Sequence, residues 1–244
     1  MRLPAIACVI ALCASVSMAD YGDPWLPNWP GETGYTSQFW GLHAVGGEEP
    51  AQPLAPDNYC ENDFGTPTAV WETHVPQGYY GWNPAPTGDH PSWVDEVWGG
   101  MVQFAGEDEI HLTMTVPTGS DGGSLKIFVQ HDWYNRGSMM PSVAGATDVT
   151  PAGYYDYEIG MSGSGYEWYR TTRVFEFLDN PGSIDVVLTG TGFSPLVDSF
   201  SVTTAVDAAI PAEMPVPEPA TIALLAVGAL LTLGRRRTTV RRLP

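Results

Sequence analysis

The residues of this chain best suited to chemistry are aromatic rings set beside amides and carboxylates. Two segments carry the pattern, Gly78-Tyr79-Tyr80-Gly81-Trp82-Asn83-Pro84 and Ser92-Trp93-Val94-Asp95-Glu96-Val97-Trp98. Sugars are held by that combination, because their apolar ring faces stack on aromatics while their hydroxyls need oriented hydrogen-bond partners. Tyr79, Tyr80, Trp82, Trp93 and Trp98 are therefore the candidate glycan-binding residues. The plainer reading is that each ring is a core or corner residue. Tyr154, Tyr155 and Tyr157 form a further aromatic cluster, and Trp168 with Tyr169 another.

A second group is rich in hard oxygen ligands. Asp57-Asn58-Tyr59-Cys60-Glu61-Asn62-Asp63 makes Asp57, Glu61 and Asp63 candidate ligands for a structural calcium ion, the only cofactor expected. The segment lacks the EF-hand's glycine and glutamate spacing, and a solvated loop is the simpler alternative. Catalytic patterns are missing. The histidines (His43, His74, His90, His111 and His131) show no zinc-binding spacing, and Gly160-Met161-Ser162-Gly163-Ser164 fails as a nucleophile elbow at its last position. His131 beside Asp132 reads as a solvated strand end. Carboxylates such as Glu72, Glu107, Glu158, Glu167 and Glu176 are too numerous to single out the pair a glycosidase needs. The expectation is a protein that is not an enzyme, with a secreted glycoside hydrolase as the remote alternative.

The two ends of the chain read as addresses. Met1-Arg2, an apolar stretch over 3–16 and Ser17-Met18-Ala19 before Asp20 have the form of a cleavable signal peptide, giving 1–19 as the leader. At the other end Val216, Pro217, Glu218 and Pro219 precede an uncharged run over 220–234, then Arg235, Arg236 and Arg237. As a helix that run spans ~22 Å, short of the ~30 Å hydrocarbon core, so it predicts a single marginal membrane span. The arginines hold the C-terminus in the cytoplasm. This order resembles the PEP-CTERM sorting signal, in which a Pro-Glu-Pro tripeptide, a short membrane segment and an arginine cluster follow one another. The resemblance covers only 216–244, and Thr238 onward extends past the usual end of the signal. It implies recognition by an exosortase-type membrane protease, transient anchoring in the inner membrane, and export to the cell surface or an extracellular polysaccharide matrix. An uncut single-pass anchor is the alternative from hydropathy alone.

Removal of both ends changes the charge that matters. Of 10 basic residues only Lys126, Arg136, Arg170 and Arg173 remain, while Glu218 alone is lost from 28 acids. The body then carries a net charge of about −23, which repels nucleic acid and anionic lipid. Cys8 and Cys13 leave with the leader, so Cys60 has no intramolecular partner.

These residues must be positioned by strands. Apolar and polar residues alternate over 110–116, 125–130, 155–159, 173–177, 184–188 and 196–204, with further candidate strands over 38–44 and 70–75. Gly- and Pro-rich turns at 117–123, 162–165 and 179–182 separate several of them, and no amphipathic helix is evident between the two ends. The expected fold is all-β, a single β-sandwich of jelly-roll type over 20–206 with long Pro/Gly/Trp-rich N-terminal loops. A short linker over 207–215 joins it to the tail. Ile184-Asp185-Val186-Val187-Leu188 followed by Val197-Asp198-Ser199-Phe200-Ser201-Val202 resembles the closing strands of galactose-binding-like jelly rolls. Two functions from different classes follow: an exported protein that binds polysaccharide without catalysis, or an acidic structural matrix component with no specific ligand.

Overall fold

Alternation builds the sheets, and most expected strands are present with longer boundaries. The computed structural model describes residues 26–41, 52–57, 60–72, 81–83, 101–103, 106–134, 137–154, 156–161, 167–192 and 196–214. Among them are twelve strands and no helix: β1 Thr36–Gly41, β2 Thr68–Glu72, β3 Gly81–Asn83, β4 Met101–Gln103, β5 Gly106–Pro117, β6 Leu125–Tyr134, β7 Gly137–Val143, β8 Thr147–Asp148, β9 Tyr157–Met161, β10 Glu167–Phe177, β11 Ser183–Gly192 and β12 Leu196–Val206. Residues Gly22–Pro215 form one compact unit. The leader and the membrane segment expected at 220–234 lie outside the described residues.

The strands make two antiparallel sheets. The larger runs β3-β4-β12-β6-β10-β8, with β1 also pairing β12 and β9 also pairing β10. The smaller runs β2-β5-β11-β7. From β5 onward the chain repeatedly crosses from one sheet to the other, so most paired strands are distant in sequence.

Between the sheets lies the main core. Leu112, Met114, Val116, Val186 and Leu188 of the smaller sheet meet Leu125, Ile127, Val129, Val202 and Phe200 of the larger one, all essentially inaccessible to solvent. Trp40 and Trp71, from the Trp-rich N-terminal part, belong to this core, and Trp40 stacks on Phe200 with ring centroids 5.1 Å apart. The aromatic content of that stretch is thus used for packing, which offsets its loop-like composition.

The outer side of the larger sheet has its own apolar patch, built from Phe128, Val174 and Ala205 and covered by Trp29, Tyr154 and Ala208. Trp29 and Tyr154 both meet Phe128 edge-on, at 6.0 and 6.2 Å. Residues 207–214, expected as a linker, are laid along this patch. Trp29 Nε1 donates to the Ala209 carbonyl (2.8 Å), and the Tyr154 hydroxyl donates to those of Pro211 (2.9 Å) and Glu213 (3.3 Å). Burial pushes the Tyr154 hydroxyl up to about 12. At the start of this strap Gly123, with φ +127°, lets the backbone pass Val206 and Asp207, where a Cβ would come within 2.7 Å of both side chains.

Polar groups are buried too. His131 and Asp132, expected at a solvated strand end, lie inside β6, each 1% exposed, because β6 continues to Tyr134 between β12 and β10. They point to opposite sides of the sheet. The His131 imidazole faces the main core, and neither ring nitrogen has a hydrogen-bond partner; the buried Trp40 Nε1 lacks one as well. Desolvation, reinforced by the Arg173 charge, holds His131 down to about 3; a backbone group of Met139 in the facing sheet pulls the other way without completing a bond.

Two outcomes follow. Between pH 6.5 and about 3 the unfolded chain binds a proton at His131 that the folded chain refuses. Stability therefore falls as pH drops through that window, by about 1.4 kcal/mol per pH unit from this group, and is insensitive to it above pH 6.5. Urea denaturation at a series of pH values measures the slope, and His131→Met should flatten it. Tyr154→Phe should cost about 1 kcal/mol and expose residues 207–214 to limited proteolysis, leaving the strand core resistant.

Candidate functional site

Of the candidate glycan-binding residues, Tyr79, Tyr80, Trp93 and Trp98 lie outside the described residues, and Trp82 lies on β3. The sorting residues Val216, Pro217, Glu218, Pro219, Arg235, Arg236 and Arg237 also lie outside them. The candidate calcium ligands are placed. Asp57 Oδ2 accepts the Gly41 N–H (2.7 Å), its own N–H donates to the Phe39 carbonyl (2.8 Å), and Glu61 exchanges backbone bonds with Ser37. This segment thus closes the outer edge of β1, while Asp63 stays exposed. Among the described residues no three His, Cys, Asp or Glu side chains are grouped as a metal site. Cys60, beside them, is a half-buried free thiol whose pKa burial raises.

Strand register gathers other residues at one end of the larger sheet. Trp82 pairs with Val102, Val102 with Val197, Val197 with Trp133, and Trp133 with Tyr169. The next row reads Gly81, Gln103, Leu196, Tyr134 and Trp168. Five aromatic residues thus share two adjacent cross-strand rows. Trp133 and Tyr169 lie 5.7 Å apart on the core side, and Trp133 Nε1 donates to Thr171 Oγ1 (2.7 Å), which in turn donates to Asp156 (2.8 Å). The Tyr169 hydroxyl donates to Glu167 (2.7 Å), and this bond, then burial and the surrounding carboxylates, pushes it up to about 12.

Behind these rows, on the outer side of the sheet, sits a buried ion pair. Arg170 Nε and Nη2 both donate to the Asp132 carboxylate at 2.6 Å, and both side chains are 2% exposed. The two-bond fork joins β10 to β6, whose register sets these residues opposite each other. Gln130 and Thr172, opposite each other in the next outer row, are joined by a 3.1 Å bond. Irregularities in pairing flank the ion pair on both sides, between Val197 and Ser199 in β12 and between Trp168 and Tyr169 beside β9. Bulges of this kind re-aim side chains and recur beside functional sites.

Other polar groups have structural employment. Lys126 bonds Ser124 (2.8 Å) and forms a short ion pair with Glu176, which holds that carboxyl below its usual range together with Ser124. His111 lies on the polar side of β5, 3.3 Å from Thr189 Oγ1. The Asp132–Arg170 pair itself escaped sequence reasoning. The only available signal was a charged residue within each of two strands, 38 positions apart.

Removing one member of a buried pair strands the other charge. Arg170→Met should cost about 3–5 kcal/mol, and Asp132→Leu added to it should recover most of that. Chemical denaturation of the two single variants and the double variant measures the coupling.

No curated protein matches this sequence. Among solved structures, the enzymatically active domain of bacteriophage CBA120 tailspike protein 4 aligns with 78% of this chain and 21% of its own length, at 11% identity and a TM-score of 0.23. A likeness that slight carries no argument. The tail does match a family model, that of the PEP-CTERM protein-sorting motif, over residues 215–237. The chain therefore carries a PEP-CTERM sorting motif, which marks it for export, processing by exosortase (a membrane protease) and sorting to the cell surface.

Proposed function

We propose that the exported β-sandwich holds extracellular polysaccharide at the cell surface or in its matrix, without catalysis. The observation that carries this reading is the register that collects Trp82, Trp133, Tyr134, Trp168 and Tyr169 into two neighbouring rows at one end of the larger sheet. Tyr169 lies beside Glu167 on one side of the sheet, and the Asp132–Arg170 pair lies on the other, so residue types that sugars need are concentrated at this end. The sorting motif supports it, because a protein sorted to the cell surface is exposed to extracellular polymers. The segment 220–234 serves in this account as a transient anchor in the inner membrane until exosortase acts.

A second reading has an observation of its own. Trp29, Trp40, Trp71, Trp133 and Tyr154 are buried, which favours an acidic structural component of the matrix whose rings serve packing alone.

Affinity electrophoresis of the full chain in mild detergent, through gels containing the host's exopolysaccharide, separates the two. The binding reading expects saturable retardation, weakened roughly tenfold by Trp82→Ala or Trp93→Ala. Retardation only with added calcium would move the binding surface to Asp57, Glu61 and Asp63. Unaltered mobility at every polymer concentration favours the structural component.

A further inference from the structure

The outer side of the larger sheet contains a recess bordered by Phe39, Gln130, Asp132, Arg170, Ser199 and Ser201. Its space is about 10 Å³, roughly what one water or one hydroxyl group occupies. Ser199 and Ser201 are 3% and 2% exposed, yet neither hydroxyl has a partner among the described residues. Buried hydroxyls normally find one. Neither is sealed off like the His131 nitrogens, so the small accessible surface they keep opens toward the recess.

Charge decides what fits there. Asp132 and Arg170 neutralise each other through two bonds, so the recess has no net charge to attract an ion. The Asp132 carboxylate is already engaged by Arg170 and offers a cation little, and the surplus of acids in the body repels an anion. A neutral hydroxyl meets neither objection. It can donate to a serine or to a remaining lone pair of Asp132, and accept from the other serine. Phe39 adds an apolar wall for an adjoining C–H. The two pairing irregularities lie on either side of this spot.

We propose that this recess is a notch for one hydroxyl of a neutral sugar residue. It deepens the polysaccharide-binding reading and rests on it. The sugar ring lies against the outer side of the sheet, and Ser199 and Ser201 read its hydroxyl, displacing a water. Acidic sugars are disfavoured by the same neutrality.

The test uses the full chain in detergent micelles with the methyl α-pyranosides of glucose, mannose and galactose as probes, followed by saturation-transfer NMR. At least one of the three should give a saturable signal that discriminates it from its epimers. Ser199→Leu fills the notch and should abolish that signal while polymer retardation weakens. Ser199→Ala with Ser201→Ala removes both hydroxyls without adding volume, keeps the thermal midpoint, and should weaken the probe roughly tenfold. Signals equal in wild type and in the double-alanine variant overturn the notch and assign the recess to water. If the polymer is retarded, Trp82→Ala abolishes this and Ser199→Leu does not, the notch is overturned while polysaccharide binding stands. If no polymer is retarded but a pyranoside signal is lost in both serine variants, the notch stands as a monosaccharide site and the polymer reading falls.

Discussion

A strand in the middle of a sheet has no free edge, and from Ile127 to Trp133 β6 is buried on both faces as well. Leu125, Ile127, Val129, His131 and Trp133 are turned to the main core. On the other side Phe128 is buried under Trp29 and Tyr154, while Gln130 and Asp132 are buried without an apolar cover. Burial on both sides makes an unmatched polar group in β6 costly, about 1–3 kcal/mol and more for a charge, and His131 bears that cost while its polar neighbours are matched. Thr172 answers Gln130, and Arg170 answers Asp132.

The same constraint explains the strap. The apolar patch around Phe128 would face solvent if the sandwich ended at its strands. Trp29 from the N-terminal side and residues 208–214 from the C-terminal side close over it, held by ring contacts and by bonds from Trp29 and Tyr154 to backbone carbonyls. The chain on either side of the sandwich is thus part of its stability. The processing signal begins at residue 215, directly after the strap.

Toward the aromatic end the burial economy changes. Polar residues replace apolar ones, pairing becomes irregular, and two rows of aromatics follow. Among the described residues, the nitrogens of His131 and of Trp40 are left unanswered on the core side of this level. Polar groups concentrated beside pairing defects are costly to stability and are kept where a surface must recognise something polar. This gradient along β6, from Lys126 paired with Glu176 through Phe128 to Asp132, is the physical basis for looking there for a ligand.

Period-two alternation made β5, β6, β10, β11 and β12 legible from sequence, since a strand against a core must turn every second side chain inward. The sorting tail was legible for another reason: its order of Pro-Glu-Pro, apolar run and arginines is local, with no folding needed to express it. The short β3, β4 and β8 left no such trace, and β1 and β2 were only outlined. His131 and Asp132 were misplaced at a strand end because two adjacent polar residues look solvated unless both faces of the strand are covered, and coverage is a property of distant segments. Residues 207–214 read as a linker because their composition is that of one, while the rings that hold them lie 57 to 180 positions away. The sequence by itself determined the long strands β5, β6, β10, β11 and β12, the all-β class and the sorting of the protein to the cell surface. Only the tertiary structure decided that Arg170 meets Asp132, that two serines share a recess with them, and which tryptophans are spent on packing. Cross-strand register between non-consecutive strands makes those choices, and no local pattern encodes it.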